Sequence, residues 1–250
     1  MALPAAIVLF SLLLSGCTGK PAESASPTQP PASVTPSPRP AATVTPSPSP
    51  TEPAASPTPT PLPSRGGASA GDPYAPVLGN TGYDVLHYNL SLEIDPARSF
   101  LAGKVEIQAI SLIHNLTGIS FDFIGFEIGV LTVDDQPAAY TRSAEKLSID
   151  LPDALELGQQ FVISIAYQGV PTSTGSPYVP FLGHLGFYFL AQNHFFTLSE
   201  RDGARYWFPC NDHPTDKAAF TIQIPVPDGL TAAANGTLAS SQFSQAGRTT

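Results

Sequence analysis

An all-β fold, a β-sandwich or related open sheets, is predicted for residues 73–250 of this 250-residue chain. Three observations carry that prediction. Apolar and polar residues alternate with a period of two in several short runs, which puts successive side chains on opposite faces of a half-buried strand. Turn-forming residues separate the runs. No stretch keeps a helical period over about ten residues, and many short strands closed by turns build sandwiches or open sheets.

The first strand is read where Leu86, Tyr88, Leu90, Leu92 and Ile94 alternate with His87, Asn89, Ser91 and Glu93. Val105, Ile107 and Ala109 then alternate with Lys104, Glu106 and Gln108. The pattern returns at Ile119, Phe121 and Phe123, at Leu147, Ile149 and Leu151, and at Phe161, Ile163 and Ile165. Phe220, Ile222 and Ile224 face one way, Thr221 and Gln223 the other. Turns are expected at Asp95–Pro96, Asp134–Asp135, Gln168–Gly169 and Pro227–Gly229. Leu230, Ala232 and Ala234 lead into Asn235–Gly236, a hairpin signal because both residues accept left-handed backbone. Leu238–Phe243 is read as the return strand, and the chain then runs to Thr250 as if cut inside its last sheet.

Residues 1–72 follow another logic. Ala5–Leu14 is an apolar run ending at Leu14-Ser15-Gly16-Cys17. It falls short of the about 20 apolar residues that span a bilayer. It resembles the lipobox of bacterial lipoproteins, so residues 1–17 are expected to be a lipoprotein signal ending at Cys17, the lipidated residue. Ser15 and Gly16 are small enough to enter a peptidase cleft, and several acyl chains anchor stably where one does not. Met1–Pro4 lacks the Lys or Arg that usually opens such a signal.

Residues 18–72 form a Pro/Ser/Thr-rich linker, with 15 of the 28 prolines between Pro21 and Ser64. Val34-Thr35-Pro36-Ser37-Pro38 recurs as Val44-Thr45-Pro46-Ser47-Pro48. Such a segment buries too little apolar surface to offset its ordering entropy. Proline extends it by about 3.1 Å per residue. A disordered stalk is expected, with Arg65–Gly71 as a flexible hinge. With the lipid anchor it implies an extracytoplasmic, membrane-attached protein.

Of the 20 acidic and 11 basic residues, three of each precede residue 73, leaving 17 acids against 8 bases in the folded part. That balance argues against nucleic acid as a partner and against a polybasic membrane contact. Two cysteines are too few for a disulfide framework, and Cys210 is expected to be a small buried hydrophobe. His87 falls on a polar strand face, and His114, His184 and His194 share no ligand spacing.

One segment is more distinctive than any strand. Glu200-Arg201-Asp202-Gly203-Ala204-Arg205-Tyr206-Trp207-Phe208-Pro209-Cys210-Asn211-Asp212-His213-Pro214 is followed by Lys217-Ala218-Ala219-Phe220. It resembles the Ala-Arg…Phe-Pro-Cys-x-Asp-x-Pro…Lys-Ala-x-Phe stretch of the aminopeptidase N family of zinc metallopeptidases. Tyr83–Leu90 resembles that family's first strand, and Val226–Pro227 and Ala233–Gly236 the strand and turn that follow. The resemblance implies an N-terminal β domain of saddle-like open sheets packed over a zinc catalytic domain.

It also implies that Glu200, four residues before Ala204, binds the free α-amine of a peptide substrate. A carboxylate facing a protonated amine makes charge-assisted hydrogen bonds. Two residues earlier, where many relatives carry Gln, this chain has Leu198. Taken without the resemblance, Glu200 and Arg201 read equally as a surface ion pair. Arg205, Asp212 and Lys217 are expected to tie the loop together, and Trp207 and Phe208 to pack in the core.

No catalytic or metal-binding residue is predicted in this chain. The family's zinc chemistry uses H-E-x-x-H on a helix, and none of the five histidines is followed by Glu. The G-x-M-E-N signature needs a Met, and the single one is Met1. The implied zinc is therefore held by a catalytic domain absent from these residues. The chain alone is expected to be inactive, while the whole enzyme removes N-terminal residues from peptides by zinc-activated water. The alternative is a stalked, non-catalytic β-sandwich lipoprotein serving as a binding or scaffold module.

Overall fold

A computed structural model describes residues 6–7 and 64–249, apart from 144, 191–193, 228–229 and 243–247. Cys17 and the tract from residue 18 to 63, on which the lipidation and stalk expectations fall, lie outside the described residues.

The strands that build the domain are β1 (Ser64–Arg65), β2 (Tyr83–Asp95), β3 (Phe100–Ser111), β4 (Leu116–Asp122), β5 (Glu127–Val133), β6 (Gln136–Pro137), β7 (Tyr140–Arg142), β8 (Lys146–Leu155), β9 (Gln160–Gly169), β10 (Ser173–Gly175), β11 (His184–Phe189), β12 (Phe195–Leu198) and β13 (Ala219–Gln223). One sheet has the order β13-β2-β3-β9-β5-β6, a second β1-β4-β8-β7, a third β10-β11-β12. β13 runs parallel to β2, and β1 parallel to β4. The long neighbours are antiparallel, as in β2 with β3, β3 with β9 and β4 with β8. Two-residue pairings add Ala6–Ile7 to Leu230–Thr231 and Val226–Pro227 to Arg248–Thr249. The sheets stay open, and the expected all-β architecture holds.

One core joins the first two sheets. Leu90, Val105, Ile107, Phe161, Ile163 and Ile165 come from one, Ile119, Phe121, Leu147 and Ile149 from the other. Each belongs to an alternating run, so the period-two pattern places its apolar set on the covered face. Tight turns hold the register. Asp134 and Asp135 both have positive φ (46° and 63°) between paired Val133 and Gln136. That is the backbone of a two-residue turn matching the strand twist. Asp95 Oδ1 accepts the Ala97 and Arg98 N–H groups at 3.1 and 3.2 Å, fixing the β2–β3 turn.

Three expectations are corrected. Register slips by a residue between Val85 and His87. This bulge turns Tyr83 and Val85 inward and leaves Leu86 38% exposed, so Leu86 is not in phase with Tyr88 and Leu90. Arg65–Gly71 is not a hinge, because its first residues are hydrogen-bonded to the sheet that holds β4. Arg65 pairs with Gly118, Gly66 N–H donates to Gly118 O at 2.8 Å, and Thr81 N–H to Gly67 O at 2.9 Å. A side chain at Gly66 would collide with the Thr81 carbonyl, so this glycine serves close backbone approach rather than flexibility. Finally, no strand forms over 237–242, and Leu238 is exposed. Asn235–Gly236 makes a bend, with Gly236 at φ 100°, but the Ala- and Ser-rich segment after it has no apolar face to bury against the sheet.

Candidate functional site

β12 ends at Leu198, opposite Gly186 of β11. The chain then turns back sharply. Gly203 N–H donates to Ser199 O at 3.0 Å, and a 3-10 turn follows over Ala204–Tyr206. A Cβ on Gly203 would sit 2.5 Å from Leu198 O and 3.0 Å from Gly186 N, so the turn needs glycine there. Trp207 Nε1 donates to Ser199 Oγ at 3.0 Å and closes the loop from the other side.

Glu200 stands exposed in this loop, and its peptide bond to Arg201 is cis. Among the described residues its carboxylate makes neither an ion pair nor a hydrogen bond. The surface pair with Arg201 does not form. The Arg201 guanidinium lies instead 5.3 Å from the centroid of the Tyr178 ring. Leu198 is half-buried at the end of β12.

The residues around Glu200 are held from beneath. Asp202 is fully buried and accepts from Arg205 Nη2 at 3.0 Å and from Ser176 Oγ at 2.6 Å. Arg205 Nη1 reaches Glu145 at 3.3 Å. Deeper in, Lys146 Nζ meets Asp122 Oδ1 at 2.6 Å, while Asp122 Oδ2 accepts from Asn80 Nδ2 at 2.9 Å and from the Asp212 N–H at 3.0 Å. Asp122 and Cys210 also exchange backbone hydrogen bonds at 2.8 and 3.1 Å. The motif is thereby fastened to β4.

Burial, reinforced by the neighbouring Asp122, pushes the Asp212 carboxyl up to about 8. Burial pushes Asp216 to about 6, against the hydrogen bond it accepts from Asn211. Burial also raises the free Cys210 thiol well above its ordinary value, which makes it a poor nucleophile. Trp207, Phe208 and Cys210 are buried as expected, and Arg205 and Asp212 do tie the loop; Lys217 is exposed. Sequence reading missed Asn80, Asp122, Lys146, Ser176 and Asp202. The one available signal was Asp122 itself, a charge inside an otherwise apolar run.

Three of the five histidines have separate side-chain partners: His87 meets Thr221, His114 meets Glu156, and His213 meets Asp72 and Thr215. Among the described residues no group of three or more His, Cys, Asp or Glu is placed to hold a metal ion. These side chains do not fit a zinc centre.

Residues 85–250 match the Peptidase M1 N-terminal domain. The chain belongs to the M1 peptidase family. Solved M1 structures agree with that assignment. An M1 zinc metallopeptidase from Deinococcus radiodurans is 31% identical, with a TM-score of 0.65 over 72% of this chain and 40% of that one. A mutant M1 zinc metallopeptidase from the same organism, bound to a Tyr-Ser-Ala substrate, is 31% identical with a TM-score of 0.64 over 72% and 41%. A mutant two-domain M1 zinc metallopeptidase bound to L-arginine is 31% identical with a TM-score of 0.66 over the same shares. The chain thus spans about two-fifths of the length of these M1 enzymes, on the side of their N-terminal domain.

Proposed function

We propose that this M1 N-terminal domain is the substrate-recognition part of a lipid-anchored, extracytoplasmic zinc aminopeptidase, with Glu200 holding the free α-amine of a peptide's first residue. One observation carries the reading. The exposed Glu200 carboxylate has no partner among the described residues, on a loop otherwise fixed by buried contacts. A preorganised carboxylate engages an ammonium group through charge-assisted hydrogen bonds with little ordering cost. An N-acetylated peptide offers no cation, and that difference restricts cleavage to chain ends. Tyr-Ser-Ala and L-arginine, bound by similar proteins, both carry a free α-amine.

In this reading the zinc belongs to a catalytic domain outside these 250 residues. Cys17 carries the acyl anchor and the Pro/Ser/Thr-rich tract that follows it acts as the stalk. Signal cleavage before Cys17 removes Ala6–Ile7 together with its pairing to Leu230–Thr231.

Expression of the complete reading frame tests the proposal. An aminoacyl nitroanilide should be hydrolysed, its N-acetyl derivative should not, and a zinc chelator should stop turnover. Mass spectrometry of the membrane fraction should find acylated Cys17. A product with no peptidase activity would leave the stalked binding module as the better description.

A further inference from the structure

The Glu200 loop is bound into a closed circuit of contacts with the segment after β10. Asp202 uses both carboxylate oxygens, Oδ2 toward Arg205 and Oδ1 toward Ser176. Ser176 is itself buried, and its Oγ accepts the Tyr178 N–H at 3.1 Å while donating to Asp202. The Tyr178 ring in turn faces the Arg201 guanidinium. The Arg201–Asp202 backbone completes the circuit, and Glu200 is the next residue outside it.

Two carboxylates, Glu200 and Asp202, stand two residues apart. Arg205 and Ser176 turn Asp202 inward and satisfy both of its oxygens, which leaves Glu200 as the anion of this pair open to an ammonium group. Ser176 supplies the contact from outside the loop. Without its hydroxyl, one buried carboxylate oxygen lacks a partner, and the least costly relief is for the loop to move toward water.

We propose that Ser176 and Asp202 are positioning residues for amine recognition, fixing the Ser199–Gly203 loop so that Glu200 meets the substrate's α-amine. The proposal rests on the reading of Glu200 given above. Its substrate class is peptides and amino-acid amides with a free, protonated N-terminus.

The test is an NMR titration of the chain with L-leucinamide and with N-acetyl-L-leucinamide, comparing wild type with Glu200→Gln, Ser176→Ala and Ser176→Thr. A dispersed amide spectrum checks that each variant is folded. Wild type should prefer the free amine, and Glu200→Gln should lose that preference. Ser176→Ala should weaken leucinamide binding by about tenfold, as expected for losing a hydrogen bond to a charged group. It should also speed exchange of the Gly203 amide. Ser176→Thr, which keeps the hydroxyl, should stay within about twofold of wild type.

If Ser176→Ala binds leucinamide like wild type, or weakens both probes equally, the positioning role is overturned while the role of Glu200 stands. If wild type shows no preference, or Glu200→Gln retains it, the reading of Glu200 fails and the positioning role falls with it.

Discussion

Lys146 and Asp122 meet inside the domain, with Nζ 2.6 Å from Oδ1 and the carboxylate fully buried. The second oxygen of Asp122 receives Asn80 and the Asp212 backbone, so one ion pair fastens the Pro209–His213 segment to β4. Taking a charge out of water is costly unless partners surround it, and here every oxygen has one.

Removing the cation should therefore be severe. Lys146→Met leaves a buried carboxylate without its counter-ion and should cost about 3 kcal/mol of stability. The urea midpoint should fall without a change in slope. Adding Asp122→Asn should recover part of the loss, because the two changes share one interaction.

The buried carboxyls predict a pH dependence opposite to that of ordinary surface acids. Asp212 rises from 3.8 to about 8 and Asp216 from 3.8 to about 6, each through burial first. Between these limits the folded chain binds more protons than the unfolded one, so their contribution to stability is full below the unfolded value. It is lost as pH climbs through about 6 and then about 8. Unfolding midpoints should fall between about pH 5 and about pH 8, and Asp212→Asn, which cannot ionise, should flatten that fall.

The bulge at Leu86 gives a paired prediction in β2. Leu90→Ala, at a fully buried position, should cost about 2–5 kcal/mol. Leu86→Ala, on the exposed side, should change stability by less than about 1 kcal/mol. Equal losses in denaturant titrations would place Leu86 in the core with Tyr88.

Much of this architecture is legible in the sequence, because a half-buried strand must alternate. Val105–Ile107–Ala109 and Phe161–Ile163–Ile165 could be assigned to the core from spacing alone, and they lie there. The bulge was not legible, since one extra residue leaves the apolar count unchanged while reversing the phase upstream. Gly66 misled for a related reason: a glycine admitted for close backbone contact looks the same as one admitted for freedom. Phe220 shares the alternating apolar face of Ile222 and Ile224, yet β13 is an edge strand and Phe220 is 51% exposed while stacking on Tyr88.

At the site, the local motif exposed Glu200 and the residues bracing it from nearby, Arg205 and Asp212. The other half of the brace comes from Asn80, Asp122, Glu145, Lys146 and Ser176, which only the folded topology brings together. No spacing rule connects them.

The most direct measurement is kcat/KM of the full reading-frame product for an aminoacyl nitroanilide, wild type against Glu200→Gln. Loss of a charge-assisted contact to the substrate amine predicts a fall of about 100-fold. The unfolding midpoint should not move, because Glu200 braces nothing else. An unchanged kcat/KM would contradict the assignment of Glu200 as the amine anchor.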